Sequence, residues 1–173
     1  GIGALYLEFE KLKKRLQNEG LFDKSIKKNI PKYPSTIGIV TSKTGAALRD
    51  MLIIFKRRAP QIKILIRSAL VQGSDAPKDI VSGIKELSAI NNIDLIIIGR
   101  GGGSFEDLWP FNDENLAQEI SRCRVPIISA VGHETDITLV DYVSDIRAPT
   151  PSAAAEIATP SKDILLTELD QIT

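Results

Sequence analysis

Asp94-Leu95-Ile96-Ile97-Ile98-Gly99-Arg100-Gly101-Gly102-Gly103-Ser104 decides the architecture. Successive side chains of a strand point to opposite faces, so an unbroken apolar run fits a strand that is covered on both sides. The glycines that follow end it in a turn. Working outward from this stretch, Thr36–Thr41 is another short β-rich run bounded by turn-forming residues, and Ile62–Ala69 is a second strand. Val125–Val131, on the far side, is the fourth. Helical spacing fills the gaps: Thr44–Arg58 with Ala47, Met51, Ile54 and Phe55, ended by Pro60; Ala76–Ile90 with Ile80, Ile84 and Leu87; and Asn112–Arg122. The order βαβαβαβ specifies an α/β fold: a doubly wound, mostly parallel sheet with helices on both faces.

The flanks are less regular. Residues 4–18 mix Leu5, Leu7, Phe9, Leu12 and Leu16 with charges, a pattern read as a strand end passing into an amphipathic helix. Residues 1–35 are therefore taken as an N-terminal helical and connecting segment, 36–160 as the α/β domain, and 161–173 as the start of a helix that leaves it. Beyond Gly132 a short helical piece is expected, then a Pro-rich segment. Thr150 there can cap a final helix with Pro151 at its first position.

Composition sets bounds. The 22 basic and 22 acidic residues balance, so bulk charge does not advertise a polyanionic partner, although Lys11–Arg15, Lys24–Lys28 and Lys56–Arg58 are locally basic. Cys123 is the single cysteine, which excludes an internal disulfide framework and a cysteine-rich zinc site. No apolar run approaches the ~18–20 residues of a membrane span, and no secretory leader is visible. The expectation is a piece of a longer cytoplasmic protein with no membrane association.

Polar residues gather where such a sheet binds ligands, beyond the carboxyl ends of its strands. Ser42 and Thr44 follow the first strand, with Asp50 farther into the helix. Arg100, Gly101, Gly102, Gly103 and Ser104 follow the third. His133 and Asp136 follow the fourth, and Thr150 and Ser152 open the last helix. Glycines let a ligand approach backbone amides while a guanidinium forks onto phosphate oxygens, but a plain tight turn is the alternative. His133, the one histidine, is read as opening a helix with Asp136 on the same side, which suits an oriented base or a shared cation. A hydrogen-bonded structural histidine is the alternative. Asp50 is also open to reading as an exposed ion pair with Arg49, and Thr150 as a cap alone. Trp109 and Phe111 could stack on a base or pack beneath the glycine loop. The lysine of a phosphate-binding P-loop is missing, and the first strand lacks the dinucleotide fingerprint.

Five segments taken together resemble a known family: Thr41–Asp50, Val71-Gln72-Gly73, Gly99–Trp109, Ala130–Asp136 and Arg147–Glu156. They are similar to the large subunit of bacterial exodeoxyribonuclease VII, from about Ile37 to Glu156. The resemblance implies the central catalytic domain of a single-strand-specific DNA exonuclease that releases oligonucleotides from either end. It implies an OB-fold domain before it and a long helical region after it that binds small subunits. It maps the family's functional positions onto Asp50, Arg100, His133 and Asp136. Ser42, Thr44, Gly101, Gly102, Gly103, Ser104, Thr150 and Ser152 are the expected phosphate contacts. A magnesium ion on Asp50 and Asp136 is the candidate cofactor, and the resemblance leaves its requirement open. A Rossmann- or flavodoxin-like enzyme acting on a small phosphorylated or nucleotide substrate is the alternative, and a scaffold that docks partners through its terminal helices is another.

Overall fold

The computed structural model describes residues 1–132, 135–160 and 169–171. Its centre is a five-stranded, all-parallel sheet in the order β2-β1-β3-β4-β5. The strands are β1 (Thr36–Thr41), β2 (Lys63–Ser68), β3 (Leu95–Gly99), β4 (Ile127–Ala130) and β5 (Ile146–Arg147). The helices are α1 (Ile2–Asn18), α2 (Ala46–Arg58), α3 (Ala76–Ser88), α4 (Glu114–Arg122), α5 (Leu139–Val143) and α6 (Pro151–Ile157). From β1 the chain moves outward to β2, then doubles back past β1 to β3 and on to β5. Right-handed crossovers then place α2 on one face and the later crossover helices on the other.

The two faces are written into the strands by alternation. Ile37, Ile39, Leu95, Ile97 and Ile128 pack with Met51 and Phe55 of α2 and Ala154 and Ala155 of α6. Val40, Ile96, Ile98 and Ile127 pack with Ile80 and Ile84 of α3 and Leu116 and Ile120 of α4. In-register partners such as Ile37↔Leu95 and Ile96↔Ile127 keep each layer continuous. Gly38 is a close approach: a Cβ there would lie 2.8 Å from both Leu87 Cδ1 and Ile93 Cδ1.

Several expectations need correction. The first segment is one continuous helix, because Phe9, Leu12 and Leu16 share a helical stripe and no strand offers a partner there. Phe9 and Leu16 are buried in the α3–α4 core, with Leu12 against it. Tyr6 and Phe9 also meet Phe105, which in turn meets Trp109, with ring centroids 5.8–6.4 Å apart. Arg15 forks onto both carboxylate oxygens of Glu114 at 2.7 and 2.8 Å, although both side chains are substantially exposed and the pair is worth little alone. A fifth strand was not foreseen. The helix expected from Asn112 begins at Glu114: Trp109–Asn112 is a 3-10 turn, and Asp113 caps α4 through Leu116 N. Of residues 161–173 the described ones, 169–171, are helical.

Candidate active site at the strand-order reversal

The ends of β1 and β3 flank the point where the winding reverses, the position at which a sheet of this order opens a crevice. A cavity of about 420 Å3 lies there, lined by Ser42, Thr44 and Gly45 after β1, Val71 and Gln72 after β2, and Arg100, Gly101 and Gly102 after β3. Thr41 closes its floor. It is buried, and its hydroxyl donates to Gly99 O at 2.6 Å, tying β1 to β3.

Arg100 is held at three points. Its amide donates to Ala130 O, its Nε to Val71 O and its Nη1 to Gly101 O, each at 3.1 Å. That leaves Nη2 without a hydrogen bond among the described residues, on a half-buried guanidinium at the cavity wall. No side chain caps α2, whose first turn also lines the cavity, so amide donors and a fixed cation border one gap. Ser42 and Thr44 hydroxyls lie 3.2 Å apart at its mouth.

The rest of the glycine loop serves Arg100. Ser104 N and Oγ both donate to Asp107 Oδ2 at 3.0 Å. These bonds and the nearby Arg100 hold the exposed Asp107 carboxyl below the usual aspartate range. A Cβ on Gly103 would sit 2.5 Å from Arg100 Nη1 and 2.9 Å from Asp107 Cβ. Gly103→Ala should therefore displace the guanidinium, lowering turnover about tenfold or more while the melting temperature moves little, since a small misplacement of a positioning group costs rate. Steady-state kinetics beside thermal unfolding would show it; unchanged turnover would mean the loop yields freely.

The loop after β2 is itself pinned. Asp79 of α3 accepts Leu70 N and Arg67 Nη1, each at 2.8 Å, and these bonds lower its pKa. A carboxyl whose folded pKa is depressed adds stability above its unfolded value, near pH ~3.9, and loses it as pH falls through the folded value. Asp79→Asn should flatten the acid limb of stability below about pH 4 without altering the limb above pH 6. Urea midpoints across that range measure it.

Two expected members stand apart from the cavity wall. Asp50 is exposed on α2 and makes no ion pair with Arg49 among the described residues, as adjacent helical positions do not face each other. Asp136 is half-buried in a non-helical stretch. Residues 135–138 are non-helical, and α5 begins at Leu139, where Thr138 and Asp141 form a reciprocal cap. His133 itself lies outside the described residues. Thr150 caps α6 by accepting Ala153 N at 3.0 Å, with Ser152 in the first turn. Phe111 is fully buried and Trp109 packs on the core, so both lie beneath the loop. Among the described residues no helix is long and apolar enough to cross a membrane.

The chain matches the family model described as exonuclease VII, large subunit, over residues 21–173. It belongs to that family. Similar relatives include the exodeoxyribonuclease 7 large subunits of Clostridium botulinum (strain Loch Maree / Type A3), 54% identical over 169 residues, and of Lachnoclostridium phytofermentans, 58% identical over 169. That of Desulfitobacterium hafniense (strain Y51) is 55% identical over 172. Each alignment covers 98–99% of this chain and 42% of the relative, so the chain spans well under half the length of those subunits.

In this exonuclease VII large-subunit domain, sequence reasoning missed the group that organises the end of β4. Asp141 has a fully buried side chain and accepts Ser129 Oγ at 2.7 Å, Thr138 N at 2.8 Å and Thr138 Oγ1 at 2.9 Å, with Gly132 N at 3.4 Å. Arg147 Nε of β5 stands 3.8 Å from it. A Cβ on Gly132 would collide with Asp141 Oδ2 and lie 2.8 Å from Asp136 O. The Thr138-x-x-Asp141 capping pattern was the available signal, and it marks a helix start rather than a site.

Proposed function

We propose that this chain is the catalytic domain of a single-strand-specific DNA exonuclease, hydrolysing phosphodiesters to release oligonucleotides. It would work within a cytoplasmic large subunit that assembles with small subunits through regions mostly outside it. Family membership supports this reading. The carrying observation is the crevice at the strand-order reversal, where a three-point-anchored Arg100 meets glycine amides and the uncapped start of α2.

A bridging phosphate enters the crevice between Arg100 and the amides of Gly101 and Gly102. Fixed donors there stabilise the charge that builds on the phosphoryl oxygens as water attacks. His133 takes the proton of that water, Asp136 orients the imidazole, and Asp50 positions the water from α2. The bond from phosphorus to the departing sugar oxygen breaks, and that oxygen recovers a proton from the imidazolium. No group of three acidic, histidine or cysteine side chains converges to cage an ion among the described residues. Magnesium needs only one or two carboxylates plus substrate phosphate oxygens, so Asp50 and Asp136 would hold it together with DNA, where it supplies Lewis-acid charge.

The test is degradation of labelled single-stranded DNA by the assembled complex carrying His133→Ala, Asp136→Ala or Asp50→Ala. Each should lose turnover by orders of magnitude while still assembling. Activity near wild type in all three would overturn the assignment. A nucleotide-sized ligand also fits a cavity of this volume. Turnover of a mononucleotide phosphodiester as efficient as that of a long single strand would favour a small-substrate enzyme.

A further inference from the structure

A second depression, of about 340 Å3, runs along the outer flank of α2. It is lined by Lys43, Arg49 and Lys56 together with Leu48, Leu52 and Ile53. Thr44 and Gly45 border both this depression and the switch-point cavity, so the two lie side by side. Positions 49, 52, 53 and 56 form one helical stripe leading away from the sheet rim. Arg49 and Lys56 stand about 10 Å apart along the helix axis.

Two properties define what this surface fits. No acidic residue lines it, and none of its three cations is engaged in an ion pair or hydrogen bond among the described residues. Between them lies an apolar strip in which Ile53 is 54% exposed. Asp50 is absent from the lining, so the depression keeps a single sign of charge. A partner must then be anionic along its length and offer apolar faces at the same time. Single-stranded DNA does both. A duplex keeps its base faces stacked inside and offers phosphates, sugars and groove edges, so no base face reaches the apolar strip.

We propose that this flank of α2 is the lane along which a single strand approaches the crevice, its phosphates on Lys43, Arg49 and Lys56 and its bases against Leu48, Leu52 and Ile53. The lane rests on the exonuclease reading and adds to it the path of the substrate. It also supplies a physical source of strand selectivity within this domain, distinct from any separate strand-gripping unit.

The experiment uses the full-length large subunit assembled with its small subunit, and fluorescent oligo(dT) as the probe. Each phosphate neutralised on a single strand contributes ~0.7 to the slope of log K against log salt, so Arg49→Gln with Lys56→Gln should lower the slope by about 1.4. KM for oligo(dT) should rise several-fold while kcat stays near wild type, because neither residue borders the crevice. Ile53→Asp should weaken binding without removing a phosphate contact. Unchanged slope and KM in an enzyme that still digests the probe would overturn the lane and leave the function standing. Loss of small-subunit assembly with an unchanged DNA slope would overturn it in favour of a protein-docking surface. Wild-type complex that neither binds nor digests oligo(dT) would overturn lane and function together.

Discussion

Replacing Arg100 with glutamine in the assembled enzyme is expected to lower kcat on single-stranded DNA by about 10²–10³-fold, the usual cost of deleting one preorganised donor at a developing oxyanion. Assembly and stability should hold, because the side chain is half-exposed and outside both apolar cores. Lysine should not rescue the loss. The guanidinium spends Nε on Val71 O and Nη1 on Gly101 O, which leaves Nη2 without a hydrogen bond among the described residues. An ammonium is a point charge that cannot reproduce that planar division of labour. Single-turnover kinetics of the glutamine and lysine variants are the measurement. Rates within about threefold of wild type for both would mean the phosphoryl group is held elsewhere.

The second large effect is structural. Asp141→Ala should destabilise the domain by about 3–5 kcal/mol, because each buried donor left without its acceptor costs about 1–3. Ser129 Oγ, Thr138 N and Thr138 Oγ1 would all lose their acceptor inside the protein, and Arg147 Nε would lose the carboxylate 3.8 Å away. The damage sits at the end of β4, so activity should fall faster than stability as temperature rises. Denaturant unfolding followed by tryptophan fluorescence, with parallel assays well below the midpoint, separates the two. A midpoint shift corresponding to less than about 1 kcal/mol would show that water replaces the carboxylate, as a neutral hydrogen bond at a wet site would allow.

How much of this could be read in advance depends on what each residue's neighbours impose. β1 and β3 were legible because burial on both faces demands apolar residues at every position, which leaves runs such as Leu95–Ile98. The rim residues Ser42, Thr44 and Arg100 were legible because strand ends of a doubly wound sheet converge by topology, whatever the side chains. β5 was not: two residues gain their strand character from hydrogen-bond partners on β4, and Ile146–Arg147 carries no local pattern. The start of α5 was misplaced for a related reason. A histidine followed by two acids reads as a helix start, yet the stronger reciprocal cap at Thr138 and Asp141 sets the helix several residues later. The lane on α2 hid within an ordinary amphipathic pattern, since a solvated helical face and a binding face share the same periodicity.

The joining of Tyr6 and Phe9 to Phe105 has a bearing on where the cooperative folding unit starts. The family model takes up the chain at residue 21, after α1 has ended. Trimming to that point would strip Phe105 of two ring neighbours and open the α3–α4 core where Phe9 and Leu16 now lie. Phe105 adjoins Ser104, whose amide and hydroxyl donate to Asp107, so α1 braces the turn that follows the glycine loop.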